Sequence, residues 1–145
     1  MLSVNELEDR LIDLAFAEDI GDGDHTTLCC IPDDAMGKSH LLIKEEGILA
    51  GVEVAKRVFA RFDPTMQVDV LINDGAHVKV GDIAMIVTGK VRSLLQTERL
   101  MLNIMQRMSG IATMTNKYVE RLKGTHTHVL DTRKTTPGLR MLEKQ

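Results

Sequence analysis

Apolar residues return at helical spacing in two segments of the first half of the chain. In the first, Ser3 and Glu6 form a capping-box pair, and the pattern predicts a helix from Val4 to Asp19. In the second, Gly51 opens a helix that Asp63-Pro64 ends. Helices bury stripes of this kind against a core. The first stripe consists of Val4, Leu7, Leu11 and Leu14, widened by Ile12 and Ala15, and the second of Val54, Ala55, Val58, Phe59 and Phe62.

A third helical segment carries several of the nine methionines on one face. Ser93 and Gln96 resemble a second capping box at its start. We expect Ser109-Gly110 to break this helix, and a further helix to run from there to Lys123-Gly124. The inner face of that further helix would hold Ile111, Thr115, Tyr118 and Leu122. Beside the methionines lies a polar stripe of Arg99, Asn103 and Gln106, which on pattern alone is a solvated face.

Between the helical segments, alternating and β-branched residues predict short strands. A strand from His40 to Lys44 is expected to turn at Glu45-Glu46-Gly47 and return through Ile48 to Ala50 as a hairpin. Further strands are predicted over 66–72, 77–80 and 83–88, with turns at 73–75, 81–82 and 89–90. Helices interspersed with short strands in this way indicate an α+β domain.

A cationic stretch follows these elements. Thr127 to Leu130 favours a strand, Arg133 and Lys134 come next, and a helix is expected to begin at Leu139. In parallel α/β sheets and barrels, ligands sit at the C-terminal ends of strands. Arginine offers a planar fork to a carboxylate or phosphate, and lysine a point charge. The stretch therefore indicates either an anion site or an exposed basic turn paired with Asp131.

Composition narrows the function classes. The formal net charge of −3 gives no overall reason to expect nucleic acid or a membrane as a partner, so a cationic function must be local. The adjacent Cys29 and Cys30 are read as reduced thiols of a cytoplasmic protein. His126 and His128 would share one side of a strand, but no third ligand is near in sequence, so no metal site is predicted.

Four segments carry a resemblance to a known family. They are DTRKTTPGLRMLEKQ at 131–145, AEDIGDGDHTT at 17–27, GILAGVEVAKRVF at 47–59, and the run from QTER at 96–99 to QRMSGIAT at 106–113. Together, and in this order, they resemble quinolinate phosphoribosyltransferase, the carboxylating nicotinate-nucleotide pyrophosphorylase. The similarity extends over nearly the whole chain.

The resemblance implies a two-part fold. Residues 1–110 would form an α+β N-terminal domain with hammerhead-like β-structure. Residues 111–145 would be the first helix and strand of a truncated α/β barrel. Further ligands in the family lie beyond the position of Gln145, so these 145 residues by themselves are expected to be inactive.

The resemblance also implies a reaction and its residues. Quinolinate and phosphoribosyl pyrophosphate would give nicotinate mononucleotide, pyrophosphate and carbon dioxide, a step of NAD synthesis, with Mg²⁺ on the pyrophosphate. Thr132, Arg133, Lys134 and Thr135 would bind these substrates. Arg99 matches an arginine that reaches into the active site of the other subunit of a homodimer or higher oligomer.

Three other interpretations stay open. A paralogue associated with molybdenum uptake shares these motifs and would perform a related phosphoribosyl transfer. The Asp-Gly and Gly-Asp turns at 74–75 and 81–82 resemble half of a lipoyl or biotinyl carrier domain, although neither Lys79 nor Lys90 is expected at the tip of a second hairpin. The third alternative is a non-catalytic fragment that only dimerises.

Overall fold

A computed structural model describes residues 2–145. Within that range the elements, in chain order, are α1 Val4–Ile20, α2 His25–Cys30, β1 Met36–Leu42, β2 Gly47–Ile48, α3 Val52–Phe62, β3 Gln67–Val70, β4 His77–Val78, β5 Ile83–Lys90, α4 Val91–Leu122 and α5 Arg140–Glu143. The mixture of helices with short antiparallel strands confirms the predicted α+β class.

The strands form two separate antiparallel ladders. In the larger one, β5 is central and pairs with β1 on one side and β3 on the other. The smaller ladder joins β2 to β4. The predicted hairpin between the 40–44 and 48–50 segments is therefore wrong, because they belong to different ladders. Side-chain alternation identifies a strand and its faces, but it does not choose a pairing partner.

The predicted turn at Gly89-Lys90 is also wrong, because both residues belong to β5. Gly89 pairs with Gly37 of β1. A side chain at Gly89 would place its Cβ 3.0 Å from Cγ of Met66. Glycine at this position thus permits a close approach within the sheet rather than a change of direction.

The core lies between the larger sheet and helices α3 and α4. The predicted stripe of α3 is confirmed at Val54, Ala55, Val58 and Phe59, which are all buried. Helix α4 contributes Leu100, Met101, Ile104, Met105 and Met108 to the core, and strand β5 contributes Ala84, Met85 and Val87. Flexible methionines fill the space that aromatic side chains occupy in many cores.

Helix α1 begins as predicted. The Ser3 hydroxyl accepts a hydrogen bond from the Glu6 amide, while the Glu6 carboxylate accepts one from the Ser3 amide at 2.7 Å. Its predicted apolar stripe faces the core only in part, through Leu11, Ile12 and Ala15. Val4, Leu7 and Leu14 are 47%, 41% and 67% exposed, whereas Glu8 and Ile12 are the buried residues.

Ion pairs between α1 and α3 explain why this part of the apolar stripe is exposed. Arg57 of α3 donates to Glu8 at 2.7 Å and to Asp9 at 2.5 Å. One helical turn later, Arg61 donates to both oxygens of Asp13. These contacts turn the acidic face of α1 toward α3, which a count of apolar residues could not predict.

Helix α4 is continuous over 32 residues, so the predicted break at Ser109-Gly110 is wrong. The Ser109 hydroxyl accepts from the amide of Ala50 at 3.0 Å and donates to its carbonyl at 3.1 Å. The serine therefore ties the helix to the chain beside β2 instead of ending it. Beyond it, Thr115 and Tyr118 of the predicted inner face are exposed.

The predicted capping box at the start of α4 is not formed. The helix begins at Val91, and the Ser93 hydroxyl donates to Asp63 Oδ2 at 2.6 Å. That hydrogen bond helps to hold the pKa of Asp63 below its usual value. Ser93 thus joins the start of α4 to the end of α3.

After α4, residues 123–139 contain no helix or strand. The predicted strand from Thr127 to Leu130 is not formed, and its residues are exposed. A strand needs a neighbour for its backbone groups, and no strand within residues 2–145 pairs with it. Because α4 crosses residue 110 without interruption, the division into 1–110 and 111–145 stays a prediction.

Candidate anion-binding site

The cationic stretch forms a loop, residues 131–139, whose far end is anchored to the core. Helix α5 follows the loop, and its Leu142 is only 4% exposed. Leu139, just before α5, packs against the same core. The loop therefore has one end fixed by apolar burial, although most of its own residues are exposed.

A second anchor comes from α4. Arg107 donates through Nε to Glu143 Oε1 at 2.8 Å, and its Nη2 contacts the same oxygen and Thr136 Oγ1. The other Glu143 oxygen accepts from the Thr136 amide at 3.0 Å. Arg107 and Thr136 together hold the pKa of Glu143 below its usual value. The carboxylate thus stays ionised and joins the loop to α4.

The remaining loop contacts are internal. Arg140 donates to the Thr135 hydroxyl and to the carbonyl of Arg133, each at 3.0 Å. The Thr132 hydroxyl accepts from the amide of Lys134 at 3.1 Å. Both predicted threonines therefore have hydroxyl contacts that shape the loop. Their hydroxyl protons are not used in these contacts, so each can still donate to a ligand.

The basic residues in and beside the loop differ in whether their side chains have a protein partner. Arg107, Arg140 and Lys144 are engaged, and Lys144 pairs with Asp131 at 2.6 Å. Among residues 2–145, the side chains of Arg133 and Lys134 have no hydrogen-bond or ion-pair partner, and both are exposed. The alternative of a basic turn neutralised by Asp131 is therefore wrong for Arg133 and Lys134, because Asp131 is paired elsewhere.

Arg99 lies elsewhere on α4. Its Nε contacts the two carboxylate oxygens of Asp19, at 3.0 and 3.1 Å, and the pairing raises its pKa. The Arg99 side chain is 56% exposed, and its two Nη groups have no hydrogen bond within residues 2–145. No hydrogen bond or ion pair of the described chain joins Arg99 to Thr132, Arg133, Lys134 or Thr135. The four loop residues thus share one loop, whereas Arg99 lies on α4.

Sequence reasoning missed the residues that hold the loop. Arg107, Glu143 and Arg140 lie within the quoted family motifs, but nothing in the linear sequence pairs Arg107 with a residue 36 positions away. Only Arg140, five residues from Thr135, was near enough for local spacing to indicate the contact.

Both carboxylates near the loop are engaged in ion pairs. Magnesium prefers carboxylate and water oxygens, and the nearby carboxylates of Asp131 and Glu143 are paired with Lys144 and Arg107. No group of three or more His, Cys, Asp or Glu residues within 2–145 could hold a metal ion.

No helix of the described chain is long and apolar enough to cross a bilayer.

Two family models match the chain. Residues 24–109 match the N-terminal domain of quinolinate phosphoribosyl transferase, and residues 111–145 match its C-terminal domain. The chain belongs to this family. The loop lies in the part that matches the C-terminal domain, and Arg99 lies in the part that matches the N-terminal one.

Individual relatives of the chain carry names from the same family. A tobacco protein named quinolinate phosphoribosyltransferase [decarboxylating] 1b is 44% identical over 92% of this chain and 38% of its own length. A Synechocystis protein named probable nicotinate-nucleotide pyrophosphorylase [carboxylating] is 43% identical over 88% of this chain and 43% of its own length. The chain thus spans less than half the length of these curated relatives.

Solved structures of the family have the same fold. The crystal structure of NadC from Streptococcus pyogenes superposes with a TM-score of 0.92 and 40% identity, covering 99% of this chain and 51% of that one. The nicotinate-nucleotide pyrophosphorylase from Francisella tularensis gives 0.90 and 35% over the same shares. These matches make the carrier-domain alternative untenable as a fold.

Proposed function

We propose that the protein transfers a phosphoribosyl group from phosphoribosyl pyrophosphate to quinolinate, with decarboxylation, to give nicotinate mononucleotide, pyrophosphate and carbon dioxide. One observation carries the proposal. Around the loop, Arg107, Arg140 and Lys144 are paired with protein groups, while Arg133 and Lys134 within it have no partner among residues 2–145. The matches to quinolinate phosphoribosyl transferase supply the chemistry for which such a loop is suited.

The charges of the substrates explain the need for these residues. Quinolinate carries two adjacent carboxylates and the donor carries several phosphate charges, so binding them side by side costs strong repulsion without cations. The guanidinium of Arg133 would hold a carboxylate through two parallel hydrogen bonds. Lys134 would neutralise donor phosphate, and the hydroxyls of Thr132 and Thr135 would donate to either substrate.

The bond changes need little acid–base assistance. The bond from ribose C1 to the pyrophosphate oxygen breaks, and the electron pair leaves with pyrophosphate. The pyridine nitrogen lone pair then forms the new bond to C1. The cationic ring stabilises the electron pair that remains when the adjacent carboxylate leaves as carbon dioxide, and a proton takes up that pair. The residues of this loop would act by positioning and electrostatic stabilisation.

Other parts of the proposal concern assembly and surroundings. Arg99 would serve the site of the partner subunit in a homodimer or higher oligomer. Its exposed guanidinium suits this role, because only Nε is hydrogen-bonded within residues 2–145. Mg²⁺ would arrive with phosphoribosyl pyrophosphate rather than on ligands of residues 2–145. A cytoplasmic location is consistent with the free thiols of Cys29 and Cys30. Among the relatives, two tobacco proteins are named mitochondrial and a rice protein chloroplastic.

The test compares quinolinate with nicotinate, which lacks one carboxylate, in the complete gene product. An unpaired charged group costs about 1–3 kcal/mol, so we expect kcat/KM for nicotinate to be lower by about 10- to 100-fold. The variant Arg133→Ala should lower kcat/KM for quinolinate, and so reduce the ratio of kcat/KM for quinolinate to kcat/KM for nicotinate. Arg121→Ala, an exposed arginine near the end of α4, is the matched control and should leave the preference unchanged. Equal turnover of both pyridines by the unmodified protein would assign a different transferase activity.

A further inference from the structure

We propose that Arg107 and Glu143 form a clamp that positions Arg133 and Lys134 for their anionic ligands. Arg107 is then a positioning residue for the phosphoribosyl transfer, and this role rests on the function proposed above. The clamp consists of the Arg107 guanidinium, the Glu143 carboxylate, and the hydroxyl and amide of Thr136.

The α4 side of the clamp is rigid. Ile104, Met105 and Met108, which flank Arg107 on the helix, are all buried in the core. Two residues after Arg107, the Ser109 hydroxyl makes hydrogen bonds to both backbone groups of Ala50. The backbone that carries Arg107 therefore has little freedom to move relative to the sheet domain.

The loop side of the clamp has few other constraints. Residues 131–138 belong to no helix or strand, and only Thr135 among them is partly buried. Glu143 is different, because its side chain is only 10% exposed and both of its oxygens are engaged. The carboxylate receives the guanidinium of α4 on one side and the Thr136 amide on the other. The carboxylate thus holds the middle of the loop, at Thr136, in a fixed position relative to α4.

From Thr136 the constraint continues to Arg133 and Lys134, whose side chains have no partner within the described chain. Thr135 is adjacent to Thr136, and its hydroxyl accepts from Arg140, whose second nitrogen donates to the carbonyl of Arg133. The Thr135 amide donates to the same carbonyl at 3.0 Å. The backbone of Arg133 is thereby fixed while its guanidinium stays free. A cation carried on a fixed backbone suits the anionic substrates, because a misplacement of about 1 Å can cost about 100-fold in rate.

The experiment uses the complete gene product with the variants Arg107→Ala, Glu143→Ala and the double substitution. We expect each single variant to raise the KM for quinolinate by about 10-fold or more, with a smaller effect on kcat. The double variant should be no worse than the more affected single one, since either change opens the same clamp. The control Arg121→Ala removes the same charge from the same helix, and we expect no change in KM.

Amide hydrogen exchange measures the clamp directly and without turnover. Exchange at Thr136, whose amide donates to Glu143, and at its loop neighbours should accelerate in Arg107→Ala, while the amides of α3 and β5 keep their protection. If Arg107→Ala reduces folding yield, Glu143→Gln provides the same test, because it removes the charge but keeps the size of the side chain.

Two results would overturn the clamp. One is loop exchange and KM in Arg107→Ala equal to those of Arg121→Ala. The other is a double variant whose effect on KM equals the product of the single effects, since independent residues behave in that way. A protein that transfers phosphoribose to no pyridine would instead overturn the proposed function, and the exchange measurement would still decide whether the clamp exists.

Discussion

Arg99 illustrates how one side chain can be held and still remain available. Asp19 contacts only Nε, so the two Nη groups of the guanidinium stay free within the described chain. A guanidinium with one donor anchored loses less freedom when a carboxylate binds the rest. Asp19 lies near the end of α1, and Arg99 in the first third of α4. The pair therefore also fixes the end of one helix against the other.

The contribution of Asp19 can be measured by Asp19→Asn. We expect a rise of about two- to five-fold in the KM for quinolinate, the small effect typical of an exposed ion pair. Asp22→Asn is the matched control, because the Asp22 side chain is 93% exposed and its ion pair is with His25 at 3.4 Å. An unchanged KM in Asp19→Asn would mean that Arg99 needs no support from α1.

Polar contacts at this scale were predictable only when they were local. The capping box of Ser3 and Glu6 was read from a spacing of three residues. In contrast, Asp74 accepts from the amides of Val52 and Glu53 and so caps α3 from a distant turn. A carboxylate can serve any helix end that the fold brings near, and the sequence does not state which end that is.

At the scale of elements, α4 connects the two parts of the molecule. It contributes five core residues to the sheet domain, carries Arg99, and holds the cationic loop through Arg107. Ser109-Gly110 predicted a break because both residues disfavour the middle of a helix. Tertiary contacts at Ser109 outweigh that preference, and Gly110 is exposed.

The continuity of α4 predicts the effect of Gly110→Ala. No atom lies within 4 Å of a Cβ at this position, and its φ is not positive, so alanine should stabilise the protein by about 0.5–1 kcal/mol. Urea unfolding provides the measurement. Gly51→Ala is the opposite case, because Gly51 has a φ of 99° and a Cβ there would lie 3.0 Å from Met108 Sδ. It should lower stability, and a loss of stability in Gly110→Ala would contradict a continuous helix.

Strands were predicted less completely than helices for a physical reason. The alternation over 66–72 and the β-branched run at 83–88 identified β3 and β5. Their partners were not identified, because β1 and β5 are joined across more than forty residues of sequence. The stretch from Thr127 to Leu130 has strand-forming residues but no strand beside it within the described chain. Strand propensity becomes a strand only where a ladder partner exists.

At the scale of the whole molecule, the arrangement of charge matters more than its total. The net charge of −3 hides a separation in which arginines of α3 pair with acidic residues of α1, and Arg133 and Lys134 have no partner within residues 2–145. The sequence predicted the loop residues because they are adjacent in the chain. It could not show which cations are free, because pairing depends on contacts such as that of Arg107 with Glu143.

The separation of Arg99 from the loop leads to a prediction about assembly. If Arg99 completes the site of a partner subunit, Arg99→Ala and Arg133→Ala homodimers of the complete gene product will each have both sites impaired. In a mixed dimer, the subunit carrying Arg99→Ala keeps its own Arg133 and receives an intact Arg99 from its partner. One site is then whole and the other lacks both residues. Subunit exchange should therefore restore up to about half of the activity per site in each heterodimer, as expected for a shared two-fold interface.

The control for this experiment is a mixture of Arg133→Ala with Lys134→Ala. Both residues lie in the same loop of the same chain, so each site of that heterodimer still lacks one cation, and no activity should return. Native mass spectrometry must show that heterodimers have formed in both mixtures. Recovery in the first mixture alone would demonstrate a site built from two chains. Confirmed heterodimers without recovery would mean that Arg99 acts within its own chain.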